Sequence, residues 1–535
     1  MRSSSRRRFL RRSLAAGALV AARPLRVFGQ APALVTPESA RPQIPFGTSV
    51  GDVVGDRAIL WAKTDRPARL IVEYSTSELI KDLHPVMGPA ALEQNGFTAR
   101  VDLTGLPSGQ RIFYRVSFQD LSDLRAYSEP ANGSFVTAPL GRRDVLFAWS
   151  ADVCGQGWGI DPARGGMRLF DAMRRAGPDF FVHVGDTIYA DNPLPAEVKL
   201  DDGTLWKNIV TPAKSKVAET LDEFRGNHSY NLLDENVRRF NKEVAQVVMW
   251  DDHEVRNDWW PTQILDDPKY QVKSVALLAA RAKRAFFEHY PIRVDADENE
   301  RIYRAIPYGP SLELFALDMR SYRGANGPNR QPARGDDSAI LGETQLAWLK
   351  SRLAASKATW KVIASDMPLG LIVPTGTPDK PCAFPRDAPP LCEAVANGAA
   401  GAPLGRELEI AELLRFLKAQ RVKNVLWITA DVHYCAAHHY SPERALVKDF
   451  DPFWEFVAGP AHAGTFGPGR LDDSFGPEVR FLGIPPGMKP NRPPSEGLQF
   501  FGTVRIDGRS EALSVRLHNQ KGDAIYKLEL EPERA

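Results

Sequence analysis

From Asp144 onward the chain repeats one pattern: a short, predominantly apolar run that stops at an acidic cluster. The runs are 145–150, 180–184, 247–250, 314–317, 360–364 and 425–428. A strand buried on both faces needs apolar residues at every position, whereas a half-buried one alternates, so these runs predict the central strands of an α/β domain. In such sheets ligand sites form beyond the carboxyl ends of the strands, where the acidic clusters sit. The stretches 190–245 and 255–300 are richer in charged and helix-forming residues and read as inserted helices. Residues 370–406, dense in Pro, Gly and Ala, read as a long loop able to cover a cleft. Alternating patterns over 500–506, 512–518 and 525–530 predict closing antiparallel strands.

Residues 43–138 differ. Short alternating segments (58–62, 69–74, 98–103) predict an all-β domain. The Leu106-Pro107-Ser108-Gly109 turn leading into Phe113-Tyr114-Arg115-Val116 resembles the corner of an immunoglobulin or fibronectin III-like sandwich, which implies that the Tyr114 hydroxyl ties back to that turn. The expected organisation is therefore a leader over 1–31, a β-sandwich over 43–138 and a catalytic domain over 144–530.

The leader carries eight arginines within residues 1–30 and no acid, which leaves 60 basic against 66 acidic groups in the remainder. Such a balance excludes a polybasic nucleic-acid binder, and nucleic acid enters only as a conceivable substrate. Ser5-Arg6-Arg7-Arg8-Phe9-Leu10-Arg11, with the weakly apolar stretch 14–22 and small residues near Ala31, resembles a bacterial twin-arginine export signal. That resemblance implies the twin-arginine export machinery as partner and a periplasmic or extracellular destination. Beyond the leader no apolar run of membrane-spanning length occurs, so no stable membrane anchor is expected, and a monomer is. Four cysteines are too few for a disulfide scaffold; Cys382 and Cys392 flank a Pro-rich stretch and either close a small loop or stay as two thiols.

The acidic clusters carry the chemistry: Asp152-Val153-Cys154, Gly185-Asp186-Thr187-Ile188-Tyr189-Ala190-Asp191, Asp251-Asp252-His253-Glu254, Ser365-Asp366-Met367-Pro368 and Asp431-Val432-His433. One such cluster is ordinarily a solvated strand end; five in register are a site. Their order resembles the calcineurin-like metallophosphoesterases, and Trp250-Asp251-Asp252-His253-Glu254-Val255 with Asp431-Val432-His433 is similar to the PhoD-type alkaline phosphatase and phosphodiesterase family. The resemblance implies a four-layer sandwich of two mixed sheets flanked by helices.

It also implies metals. Asp152, Cys154, Asp186, Tyr189 and His433 fall on first-metal positions, and thiolate with phenolate favours Fe³⁺, because an electron-poor cation lowers both pKa values. Asp252, Asp366 and Asp431 fall on second-metal positions, with Asp186 bridging. Hard oxygen donors there favour Ca²⁺, with Mg²⁺, Mn²⁺ or Zn²⁺ as alternatives. His253 matches the superfamily's catalytic histidine, either donating to the phosphate or supporting a ligand. Asn257, Arg225 and Asn227 are candidate phosphate donors, and Asp318 and Arg320 are expected to brace the site. The implied reaction is in-line attack by a metal-activated hydroxide on a phosphate ester. Monoester and diester hydrolysis both remain open, as do a phospholipase D-like phosphodiesterase and an inert binding protein.

Overall fold

The computed structural model describes residues 37–79, 81–373, 375, 391–399 and 401–534. The leader, Cys382 and most of the Pro-rich loop lie outside the described residues. The chain divides at Arg41 into two units; of the first, the described residues form only the turn Glu38–Ala40.

Residues 42–535 are built around two large mixed sheets. In the nine-stranded sheet Thr48–Val54, Ala245–Met249, Phe180–Val184 and Val145–Ser150 run parallel, and Phe501–Ile506, Leu513–His518 and Ala524–Leu530 close one side antiparallel. In the seven-stranded sheet Leu312–Ala316, Trp360–Ala364, Val425–Thr429 and Phe453–Val457 are parallel. Each predicted buried run is a strand, because side chains on both faces are used. Phe147, Val182 and Met249 of one sheet share an apolar core with Leu314, Val362 and Ile428 of the other. The opposite faces are covered by helices: Phe181 meets the Arg168–Ala176 helix, Val248 the Val275–His289 helix, and Ile363 and Trp427 the helices Gly342–Ala355 and Glu407–Ala419.

The strands of the amino-terminal β-region are shared between two sheets. Four strands, His84–Ala91, Ala68–Ser75, Arg111–Asp120 and Ala131–Val136, form their own sheet. Three others, Thr48–Val54, Arg57–Lys63 and Thr98–Leu103, extend the nine-stranded sheet. The join is made at Gly51, opposite Gln246, where a Cβ would lie 2.5 Å from the Gln246 carbonyl oxygen. Tyr114 departs from expectation. Its hydroxyl meets Thr48 Oγ1 at 3.0 Å and donates to the Lys242 carbonyl at 3.2 Å rather than to the preceding turn. The turn is held instead by Thr137, whose hydroxyl donates to Pro107 O at 2.6 Å.

Candidate metal and phosphoester site

The acidic clusters follow consecutive parallel strands of the two sheets, so the chain must turn sharply at each carboxyl end. Asp152, Cys154, Asp186, Asp431 and His433 all adopt left-handed backbone, with φ of 63°, 67°, 50°, 64° and 58°. Such conformations cost energy in non-glycine residues and collect where a site demands a particular side-chain direction.

Oxygen and nitrogen atoms of Asp152, Asp186 and His433 lie within 4.8 Å of one another, all buried. His433 donates Nδ1–H to the Gly464 carbonyl at 2.5 Å, which leaves Nε2 as the lone-pair nitrogen; burial holds its pKa down near 3. The Tyr189 hydroxyl is 2.7 Å from that Nε2. Both carboxylate oxygens of Asp152 are buried without any hydrogen-bond partner, and burial together with Asp251 pushes its pKa well up. A buried carboxylate needs a donor or a cation, so an orphaned Asp152 beside Asp186, a phenol and a neutral imidazole fits a metal ion. Two further groups adjoin it: Asp186, Asp252 and His253, and then Asp252, Asp258 and Glu393. Asp186 and Asp252 thus link the three groups.

His253 has Nδ1 2.7 Å from Asp191 Oδ1, and Asp191 Oδ2 accepts the Asn257 backbone N–H at 2.9 Å. Burial would lower the pKa of His253, but Asp191 and Asp252 prevail and raise it to about 9. Glu254 ties the turns together, accepting Thr187 N–H and Oγ1–H at 2.5 and 2.7 Å and the Asp251 N–H at 2.8 Å. Arg320, fully buried, donates from Nε to Asp251 Oδ1 at 2.7 Å and Asp366 Oδ2 at 3.2 Å and pairs with Glu393. Its guanidinium is also within 4.0 Å of Asp252 and Asp431. It holds apart carboxylates that would otherwise repel one another.

The structure therefore brings together Asp152, Asp186, Tyr189, His433, Asp252 and His253, with Asn257 and Asp431 lining the same cleft of about 370 Å³. It does not bring in four others. Cys154 is buried in an apolar cluster with Val153, Ile160 and Tyr230, and its sulfur belongs to none of the donor groups. Burial drives its thiol pKa far up. Asp366 spends its oxygens on Arg320 and, at 2.8 Å, on the Met367 N–H. Arg225, on the helix Leu221–Asn231, is engaged by Glu288 at 2.6 Å and Asp222 at 2.9 Å. Asn227 donates to the Ala213 and Glu223 carbonyls.

Sequence reasoning gave no role to Asp191, Glu254, Asp258 or Glu393. Asp191 and Glu254 sit inside the quoted clusters, so their proximity was a usable signal. Glu393, in Leu391-Cys392-Glu393-Ala394, carries no local signal at all.

The fold has solved counterparts. "Structure of PhoD" superposes with a TM-score of 0.67 at 19% identity, covering 93% of this chain and 90% of that one. The purple acid phosphatase PPD1 from yellow lupin seeds gives 0.54 at 11% identity, over 92% and 74%. In sequence, alkaline phosphatase D of Bacillus subtilis (strain 168) is 25% identical over 456 residues, 80% of this chain and 71% of that protein. Fold, site and relatives together define a phosphoesterase, a hydrolase with a metal-binding centre. The chain belongs to the PhoD-like phosphatase family, whose model matches residues 147–517, with the family's N-terminal domain matching 29–139.

Proposed function

We propose that the protein is an exported phosphatase that hydrolyses phosphate monoesters, diesters or both in the cleft between Asp152 and His253, within a four-layer arrangement of the two sheets and their helices. The observation that carries this reading is the orphaned Asp152 carboxylate, facing the same buried groups as His253. Asp152, Asp186, Tyr189 and His433 would hold one cation, and the phenol favours Fe³⁺. Asp252, Asp258 and Glu393 offer oxygens only, which favours Ca²⁺. Bound cations supply Lewis acidity toward water and phosphate.

The chain's own groups do the rest. Asp191 holds the His253 Nδ1 proton, so Nε2 is the ring atom free to donate to a phosphoryl or leaving-group oxygen. The backbone hydrogen bond from Asn257 to Asp191 sets the turn that places the Asn257 amide on the cleft, a neutral donor for a phosphoryl oxygen. Export rests on the twin-arginine pattern of residues 5–11, and among the described residues no helix is long and apolar enough to cross a membrane. The test is hydrolysis of a chromogenic phosphate monoester and its bis-ester, with calcium and after chelation. Calcium-dependent turnover supports the reading, the ratio of the two rates assigns the ester class, and no hydrolysis by metal-replete protein refutes it.

A further inference from the structure

The cleft is lined by two kinds of residue: the carboxylates and histidines with the amides of Gln156 and Asn257, and the apolar Ile372, Val373, Val432, Tyr434, Phe466 and Pro468, with Val432 between Asp431 and His433. The apolar part is a constructed wall. Leu371–Ile372 and Arg470–Leu471 form a two-stranded ribbon with Leu371 opposite Leu471 and Ile372 opposite Arg470. Gly467, at φ 90°, passes so closely over Tyr434 that a Cβ there would meet the ring at 2.4 Å, and Gly469 N–H donates to the Tyr434 hydroxyl oxygen at 3.4 Å. Phe466 is fastened to the donor side: its N–H donates to the His433 carbonyl at 3.1 Å, and its ring meets the His433 ring edge-on, 5.4 Å between centroids. Hydrocarbon thus begins one ring away from the first donor group.

Phe466, Val373 and Val432 remain half-buried, so this wall leaves apolar surface in water. A phosphoryl group carries no hydrocarbon and gains nothing from such a surface; the organic part of an ester does. We propose that the wall is the subsite for an alkyl or aryl substituent of the phosphate ester, with Phe466 and Val373 as its specificity-determining residues. The inference rests on the function proposed above and adds the class of substituent.

The test uses the full metal-replete enzyme and linear alkyl phosphonates from methyl to hexyl, followed as competitive inhibitors of ester hydrolysis and by calorimetric titration. The inhibition constant should fall about twofold per methylene, below the roughly fourfold of complete burial, and thus about thirtyfold across the series. Phe466→Ser and, separately, Val373→Ser should flatten that dependence, and Phe466→Leu should keep most of it. Constants independent of chain length in the unaltered enzyme, or a slope unchanged in both serine variants, overturn the proposal. Inorganic phosphate separates the two levels of failure. If phosphate inhibits but chain length has no effect, the wall is wrong; if neither phosphate binding nor ester hydrolysis occurs, the phosphoesterase site itself is wrong. Should one serine variant not fold, the chain-length series and the other variant decide.

Discussion

Asp191 Oδ1 lies 2.7 Å from His253 Nδ1, across 62 residues of sequence, and this pair fixes which nitrogen of the imidazole can serve the cleft. His253→Ala should lower kcat about 10²- to 10⁴-fold, the usual span for a positioned acid or base. Asp191→Ala should cost less, about 10- to 100-fold, as expected for a residue acting through another. Steady-state kinetics on both variants and their double mutant checks this: if the two losses multiply in the double mutant, the residues do not act as one unit.

Asp152 predicts opposite stabilities with and without metal. Its carboxylate is buried beside Asp186 without a hydrogen-bond partner. In chelator, Asp152→Asn should therefore be at least as stable as the parent, because burial and Asp251 disfavour the carboxylate and the amide carries no charge to bury. With metal restored, the parent should gain stability and the variant should not. Thermal melts under the two conditions show whether the order inverts.

Cys154 separates two accounts of the first donor group. A thiolate ligand would make Cys154→Ala lose metal, whereas the buried, apolar setting predicts retained metal content and a stability loss of about 1 kcal/mol, ordinary for truncating a buried side chain. Metal analysis of the purified variant beside Asp152→Ala gives the answer; equal loss in both would restore Cys154 to the ligand set.

Arg320 is the internal counter-charge. Replacing it with Met strands Asp251, Asp366 and Glu393 without their common partner, and breaking a buried pair in this way costs roughly 3–5 kcal/mol. Arg320→Lys should recover part of that, since an ammonium supplies charge without the planar fork. Denaturant unfolding of both variants measures it, and a loss below about 1 kcal/mol for the Met variant would contradict the assigned role.

Glu407 predicts the pH dependence of stability. It opens the helix Glu407–Ala419 and accepts hydrogen bonds from Asn397 and Leu404, while burial and the nearby Asp472 raise its pKa to about 7. The folded state holds this proton more tightly than the unfolded chain does. Its contribution is therefore complete below about pH 4.5 and is lost as pH rises through about 7, a difference of about 3 kcal/mol at roughly 1.4 kcal/mol per pH unit. Glu407→Gln should remove that slope and leave the melting temperature at pH 8 unchanged or higher. A wild-type slope retained in the variant would assign the titration to another group.

Much of this architecture is legible in the chain. Val145–Ser150, Phe180–Val184 and Trp360–Ala364 match their largely apolar runs residue for residue, because a doubly covered strand leaves few polar positions inside it. Asp152, Asp186, Asp252 and His433 are legible for the complementary reason: polar residues begin where the strand leaves the core. Arg225 and Asn227 misled, since a helix that carries donors in sequence can spend them on its own neighbours, as Arg225 does on Glu288.

The sequence by itself determined the strands, the acidic ends of the parallel ones and the identity of the residues offered there, all of which follow from local periodicity and burial. Only the tertiary structure decided how those offers were used. Asp366 goes to Arg320 and not to the donor groups, Cys154 turns into an apolar cluster, and Glu393 crosses from a distant loop to stand beside Asp252 and Asp258. Such choices depend on which loops meet in space, where a buried charge takes the nearest partner the fold supplies, and no spacing along the chain encodes that distance.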